Sequence, residues 1–231
     1  MKEIAKKFFY KAYKPFSKIE STSFSEYFSN LGYFIKSEAL YNSIDDATAV
    51  ENRIELHEKL SSKFVNPAEK ICFLEFGVFK GQTFAIWVSN NTNPESTFVG
   101  FDTFTGLPED WGNEKKGSYS AGGNLPDIKD PRVKFEVGLI QDRLPGYLPQ
   151  LKTGQRKIIH IDVDLYNATL YSLIGVQPFL EKGDIIIFDD FFTITKASHE
   201  FRAFYDFLSL YKLEYKPIVK CRRGHLAIEI Q

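Results

Sequence analysis

The sequence predicts an α/β fold: a doubly wound, mostly parallel seven-stranded sheet closed by a C-terminal antiparallel hairpin, with helices at the N-terminus. Three observations carry this. From residue 71 onward short apolar runs alternate with helical stretches, the pattern of strands buried on both faces of a parallel sheet. The last two runs, 215–220 and 225–230, are separated by little more than Cys221-Arg222-Arg223-Gly224, which reads as a hairpin and brings an antiparallel strand into the sheet. Apolar residues make up 43% of the chain against 26% charged, which excludes a disordered polymer.

Taken in order, residues 2–18 combine six lysines with Phe8, Phe9, Tyr10, Tyr13 and Phe16. Such a segment could lie on a membrane surface or pack its aromatic side on the domain or on a second subunit. Pro15 cuts it too short for firm membrane binding, so packing is the preferred reading, with a homo-oligomer through these helices as one outcome. A second helical stretch is expected at 46–64, where Val50, Ile54, Leu56 and Leu60 recur at broadly helical spacing. Then come strands at 71–76, 97–101, 133–137, 157–161 and 184–188, and helices at 81–90, 166–180 and 196–211. This divides the chain into an N-terminal helical extension, 1–66, and a core domain, 67–231.

At 231 residues the chain is long enough to bury a full core without staples. A net charge of −1 provides no overall basic field, so no nucleic-acid partner is expected. No apolar run approaches the roughly 20 residues of a membrane span, so no stable membrane insertion is expected. The lysine-rich start lacks the apolar centre of a signal peptide, and Cys72 and Cys221 make no disulfide framework, so the cytoplasm is the expected compartment.

The first core strand runs into Glu75-Phe76-Gly77-Val78-Phe79-Lys80-Gly81, a strand-to-helix turn. Gly77 and Gly81 would let a ligand approach the backbone there. Their Gly-x-x-x-Gly spacing is not the Gly-x-Gly-x-x-Gly that seats a diphosphate, and Glu75 would repel one while accepting from an ammonium group. Asp102 ends the next strand 21 residues after Gly81, where an acid takes two ribose hydroxyls. An adenosine cofactor with an amino-acid tail and no phosphate fits this set: S-adenosylmethionine. The Gly- and Pro-rich stretch 102–131 follows that strand end and reads as a lid over the site.

A second constellation ends the later strands: His160-Ile161-Asp162-Val163-Asp164 and Phe188-Asp189-Asp190. Adjacent parallel strands gather Asp162, Asp189 and Asp190 at the C-terminal rim of the sheet, with Asp164 beside them. So many carboxylates raise one another's pKa unless a cation neutralises them, and hard oxygen donors without cysteine select Mg²⁺. His160 reads as a buried, hydrogen-bonded residue, while His57, His199 and His225 have no neighbours in sequence that suggest a role.

At these residues the chain resembles the class I S-adenosylmethionine-dependent methyltransferases, and most closely the macrocin/mycinamicin sugar O-methyltransferase family. The likeness runs from about 71 to 206 and rests on Glu75 to Gly81, Phe101-Asp102-Thr103-Phe104-Thr105-Gly106-Leu107-Pro108, Asp162-Val163-Asp164-Leu165-Tyr166, Asp189-Asp190, Lys196-Ala197 and Phe201-Arg202. It implies Mg²⁺ held by Asp162, Asp189 and Asp190, with Asp162 also the catalytic base, and Thr103 beside Asp102 at the cofactor. A second likeness, of Gly138 to Pro145 to the adenine-contacting segment of catechol O-methyltransferases, implies that Gln141 and Asp142 meet the adenine end and Thr83 the methionine carboxylate. Those enzymes place a lysine three residues after the first metal acid. Here Leu165 stands there, which argues against a catechol acceptor.

The resulting expectation is Mg²⁺-assisted methyl transfer from S-adenosylmethionine to a hydroxyl of a sugar-like or glycosylated small molecule, through chelation of two adjacent acceptor oxygens. Two rivals stand beside it: a nicotinamide-dependent oxidoreductase, whose glycine fingerprint is missing, and a non-catalytic S-adenosylmethionine-binding protein, against which the acidic cluster speaks.

Overall fold

The structure, a computed structural model, describes residues 32–33, 44–111, 114–191, 199–221 and 224–231. The basic aromatic arm at 2–18, and with it any oligomer through that arm, lies outside the described residues, as does Lys196-Ala197.

Eight strands form one sheet: β1 (Thr48–Val50), β2 (Ile71–Phe76), β3 (Thr97–Asp102), β4 (Val133–Val137), β5 (Arg156–Ile161), β6 (Ile185–Phe188), β7 (Tyr215–Cys221) and β8 (Leu226–Ile230). Their spatial order is β1-β7-β8-β6-β5-β2-β3-β4. Only β8 runs against the rest, pairing antiparallel with both β6 and β7. The expected hairpin is therefore present, but the strand count is eight rather than seven. The addition is β1, which pairs parallel with β7 through Thr48↔Val219 and Val50↔Cys221.

That strand corrects the helix expected at 46–64. Val50 packs into the core from a strand, and the helix, α1 (Arg53–Lys59), starts three residues later and passes into a wider turn at Leu60–Phe64. Asn52 sets the start: its side chain accepts from the Glu55 amide at 3.0 Å, and the Glu55 carboxylate accepts from the Glu51 amide at 2.9 Å. This Asn-x-x-Glu arrangement is close to a capping box, and it was the available sign of the helix start.

The remaining helices are α2 (Gln82–Asn90), α3 (Ile140–Tyr147), α4 (Tyr166–Val176) and α5 (His199–Leu210). Pro178 stops α4 short of residue 180, leaving a 3₁₀ turn at Gln177–Phe179. One face of the sheet packs Cys72, Leu74 and Phe76 of β2 against α3, α4 and α5, through residues such as Leu144, Leu173 and Phe204. The opposite face packs Ile71 and Phe73 against α1 and α2, through Leu56, Phe84 and Trp87. Strand alternation places Glu75, His160 and Asp189 on this second face. At residues 32–33 a helical fragment docks on α5, with the Tyr33 hydroxyl donating to Asp206 at 3.1 Å and its ring 5.0 Å from the Arg202 guanidinium. Among the described residues no helix is long and apolar enough to cross a membrane.

Candidate active site

Two cavities open at the C-terminal rim of the sheet and share Gly77, Asp102, Tyr119, Asp162 and Asp164. The first, about 370 Å³, lies on the α3/α4 side. Phe101, Leu107, Leu139, Ile140, Leu165 and Ala168 make it largely apolar, and Thr103 and Gln141 also line it. The second, about 510 Å³, lies towards α1 and α2 and carries charged and polar side chains, among them Arg53, Lys80, Gln82, Thr83, Asp189 and Asp190.

The glycine turn is built for reasons of its own. Gly77 has φ +86°, and a Cβ there would lie 1.7 Å from the backbone oxygen of Asp162. Gly81 has φ +74°, and its Cβ would meet Pro126 at 2.7 Å. On the side where a side chain would point, both glycines make room for protein, and the Gly77 backbone also lines both cavities.

Asp102 holds this turn: Oδ2 accepts from the Val78 and Phe79 amides and Oδ1 from the Phe104 amide, each at 2.7 Å. A carboxylate offers about four lone-pair sites. Three are taken, which leaves one for a ribose hydroxyl. Thr103 Oγ1 donates to the Gly106 carbonyl at 3.1 Å at the start of the 103–131 stretch. That stretch walls both cavities through residues such as Tyr119, and Phe104 and Trp111 are buried within it. Asp142 is exposed in the first turn of α3 and lines neither cavity.

Glu75 is fully buried and lines neither cavity. Its Oε1 accepts from the Thr83 hydroxyl and lies 2.7 Å from His160 Nδ1. Burial alone would lower the His160 pKa, but contacts with Asp189 and Glu75 push it up to about 10. Beyond it, His160 Nε2 is 3.8 Å and His225 Nδ1 3.1 Å from Asp189 Oδ1. All three atoms are buried, and Asp189 Oδ1 faces both imidazoles. His57 stands edge-on to His160 with ring centroids 4.5 Å apart, and its Nδ1 accepts from the Trp87 indole at 2.9 Å. Sequence spacing gave no hint of His57 or His225 here, because both arrive from distant elements.

Across the carboxylates lies Arg53, the first residue of α1. Its NH1 is 3.1 Å from Asp162 Oδ2 and 3.2 Å from Asp189 Oδ2. Burial opposes its charge, but Asp189 and Asp162 raise its pKa further. Burial, then the Asp189 charge, pushes Asp162 well above the usual carboxylate range. Asp189 goes the other way: burial opposes ionisation, but His160 and His225 hold it well below that range. Glu200, on α5, was also missed. It is buried, accepts from the Asp190 amide at 2.9 Å, and is pushed well up by burial and by Asp190.

Asp162, Asp189 and Asp190 thus border one cavity, as expected, with Asp162 and Asp189 drawn together by Arg53. Among the described residues His160, Asp162 and Asp189 form a group whose ligand-type atoms all lie within 4.8 Å of one another, so the surroundings are not purely oxygen, and Asp190 stands outside that group. A divalent cation fits this rim through its donor set: the hard carboxylates of Asp162, Asp189 and Asp190 line one cavity.

This sheet order, with its single antiparallel strand and a ligand-sized crevice at the strand ends, is the class I methyltransferase fold. Residues 124–211 match the sequence profile of the macrocin-O-methyltransferase (TylF) family, which bears out the resemblance over the motifs from Asp162 to Arg202. Over 80 residues the chain is 35% identical to the 8-demethyl-8-(2,3-dimethoxy-alpha-L-rhamnosyl)-tetracenomycin-C 4'-O-methyltransferase of Streptomyces olivaceus. That alignment covers 34% of this chain and 29% of that protein. The calicheamicin methyltransferase CalS11 superposes with a TM-score of 0.60 at 19% identity, covering 95% of this chain and 90% of that one. TomG, an O-methyltransferase of Streptomyces achromogenes solved with S-adenosylmethionine, superposes with a TM-score of 0.51 at 14% identity, covering 96% of both chains.

Proposed function

We propose that this chain is an S-adenosylmethionine-dependent, Mg²⁺-assisted O-methyltransferase that modifies a hydroxyl of a sugar-containing small molecule. The observation that carries the reading is the meeting of an apolar and an acidic cavity at Gly77, Asp102 and Asp162. The rhamnosyl compound in the relative's name and the shared family segment support a sugar acceptor.

Bound S-adenosylmethionine would supply the methyl group, and bound Mg²⁺ would supply a Lewis acid that lowers the pKa of the acceptor hydroxyl. The adenine end fits the apolar cavity beside Gln141 and Thr103, where burial of the ring favours binding. Asp102 accepts from a ribose hydroxyl with its remaining lone pair. The amino-acid end lies towards Thr83 and the N-terminus of α2, whose free amides suit a carboxylate. Glu75 acts through Thr83 and His160, since it is sealed beneath them. Asp162, Asp189 and Asp190 would hold the cation and orient the acceptor, with Asp162 placed where it could take the hydroxyl proton. Leu165 is buried where a catechol-type lysine would stand, so the hydroxyl must be activated at the acidic rim.

The test is transfer of a labelled methyl group from S-adenosylmethionine to a panel of sugars, nucleotide sugars and glycosylated metabolites. Methylation of a vicinal diol, lost with EDTA and restored with Mg²⁺, is expected. Turnover on the best acceptor that is indifferent to EDTA would remove the metal from the reading, and turnover on non-sugar hydroxyls alone would remove the sugar.

A further inference from the structure

We propose that Arg53 is a resident substitute for the divalent cation: it holds Asp162 and Asp189 together while the metal is absent and must leave for the metal to bind. This rests on the Mg²⁺ reading given above. The argument is one of position. A single guanidinium nitrogen touches one oxygen of each carboxylate, at 3.1 and 3.2 Å, which is the bridging place a cation shared by the pair would take. A second positive charge on the same oxygens would be repelled strongly at such range. Occupation by the guanidinium and by the metal is therefore exclusive.

The side chain is able to leave. Arg53 is one-third exposed and borders the second cavity, so it can swing into open space without disturbing α1. The guanidinium keeps its own charge throughout the physiological range, and a competing cation on the same oxygens can displace it. The benefit of the arrangement is a preassembled rim: without Arg53, two carboxylates whose ligand-type atoms lie within 4.8 Å would repel one another. Its consequence is a lowered apparent affinity for metal, by the fraction of molecules in which the guanidinium is bound.

The test is Mn²⁺ binding followed by electron paramagnetic resonance, with melting temperature recorded against Mg²⁺ concentration. It uses wild type, Arg53→Gln, Arg53→Lys and, as a control for the rim, Asp162→Asn. Arg53→Gln is expected to melt lower than wild type without metal, to bind Mn²⁺ about tenfold more tightly, and to show the larger rise in melting temperature with Mg²⁺. Arg53→Lys, which keeps a charge but not the planar fork, should fall between them. Equal or weaker Mn²⁺ binding by both Arg53 variants overturns the proposal while leaving the metal reading intact, provided Asp162→Asn loses binding. Absence of Mn²⁺ binding in wild type and both Arg53 variants overturns the metal reading and this proposal with it.

Discussion

Gly77 is the residue on which the site depends most sharply. Its amide donates to the Phe101 carbonyl at 2.9 Å, while the neighbouring Asp162 amide donates to the Phe76 carbonyl at 2.8 Å. Three strand ends are locked at the point where the two cavities meet. A methyl group 1.7 Å from the Asp162 oxygen has backbone in front of it, and at φ +86° an L-residue is strained as well. Gly77→Ala should therefore destabilise the protein by about 3 kcal/mol or more in urea unfolding. Gly81→Ala should cost less, because its obstacle is the edge of the Pro126 ring. Equal costs would show that the Asp162 carbonyl is not what demands glycine at 77. The glycines themselves were legible in the sequence. Their cause was not, since the contact joins residues 77 and 162, from strands far apart in the chain.

Among the elements, α4 shows how one helix completes another. Leu165 precedes its first turn and offers no side-chain cap. The Tyr166 amide donates instead to Nδ1 of His199, the first residue of α5, at 3.1 Å. Burial, with a contribution from Arg202, lowers the His199 pKa to about 4. A histidine lowered on folding contributes stability that is fully present above its unfolded pKa near 6.5 and is lost as pH falls from there to about 4. Urea titrations at pH 7, 5.5 and 4 should show wild type losing up to about 2–3 kcal/mol more than His199→Gln over that range. Parallel pH slopes for the two proteins would contradict this capping role. His199 had no readable role in sequence because its partner is 33 residues away.

Ile71–Phe76 was legible because a parallel strand covered on both faces is a nearly continuous apolar run, and the edge strand Val133–Val137 because its apolar and charged residues alternate. Two elements were hidden. A strand of three residues, Thr48–Val50, is too short to show alternation, and its Val50 coincides with the helical spacing of α1. The helix α3 contains Pro145 and Gly146, both of which argue locally against it.

For the molecule as a whole, the sheet gathers opposite charges that the chain keeps far apart. The acids at 162, 189 and 190 were visible because they end consecutive strands. The basic side chains facing them were not: Arg53 is 109 residues from Asp162, and His225 comes from the terminal hairpin. Topology, with β8 inserted between β6 and β7, brings His225 to Asp189. The acidic rim is therefore a balanced polar network as much as a ligand set, running from Thr83 through Glu75, His160 and Asp189 to Arg53. The apolar cavity on its other side completes a place where a divalent ion and a sulfonium can be neighbours. Electron–nuclear double resonance on the Mn²⁺-loaded protein, saturated with S-adenosylmethionine carrying ¹³C in its methyl group, measures that proximity directly. A resolved coupling between the metal and the labelled carbon is predicted, and its absence with both ligands bound would contradict the account.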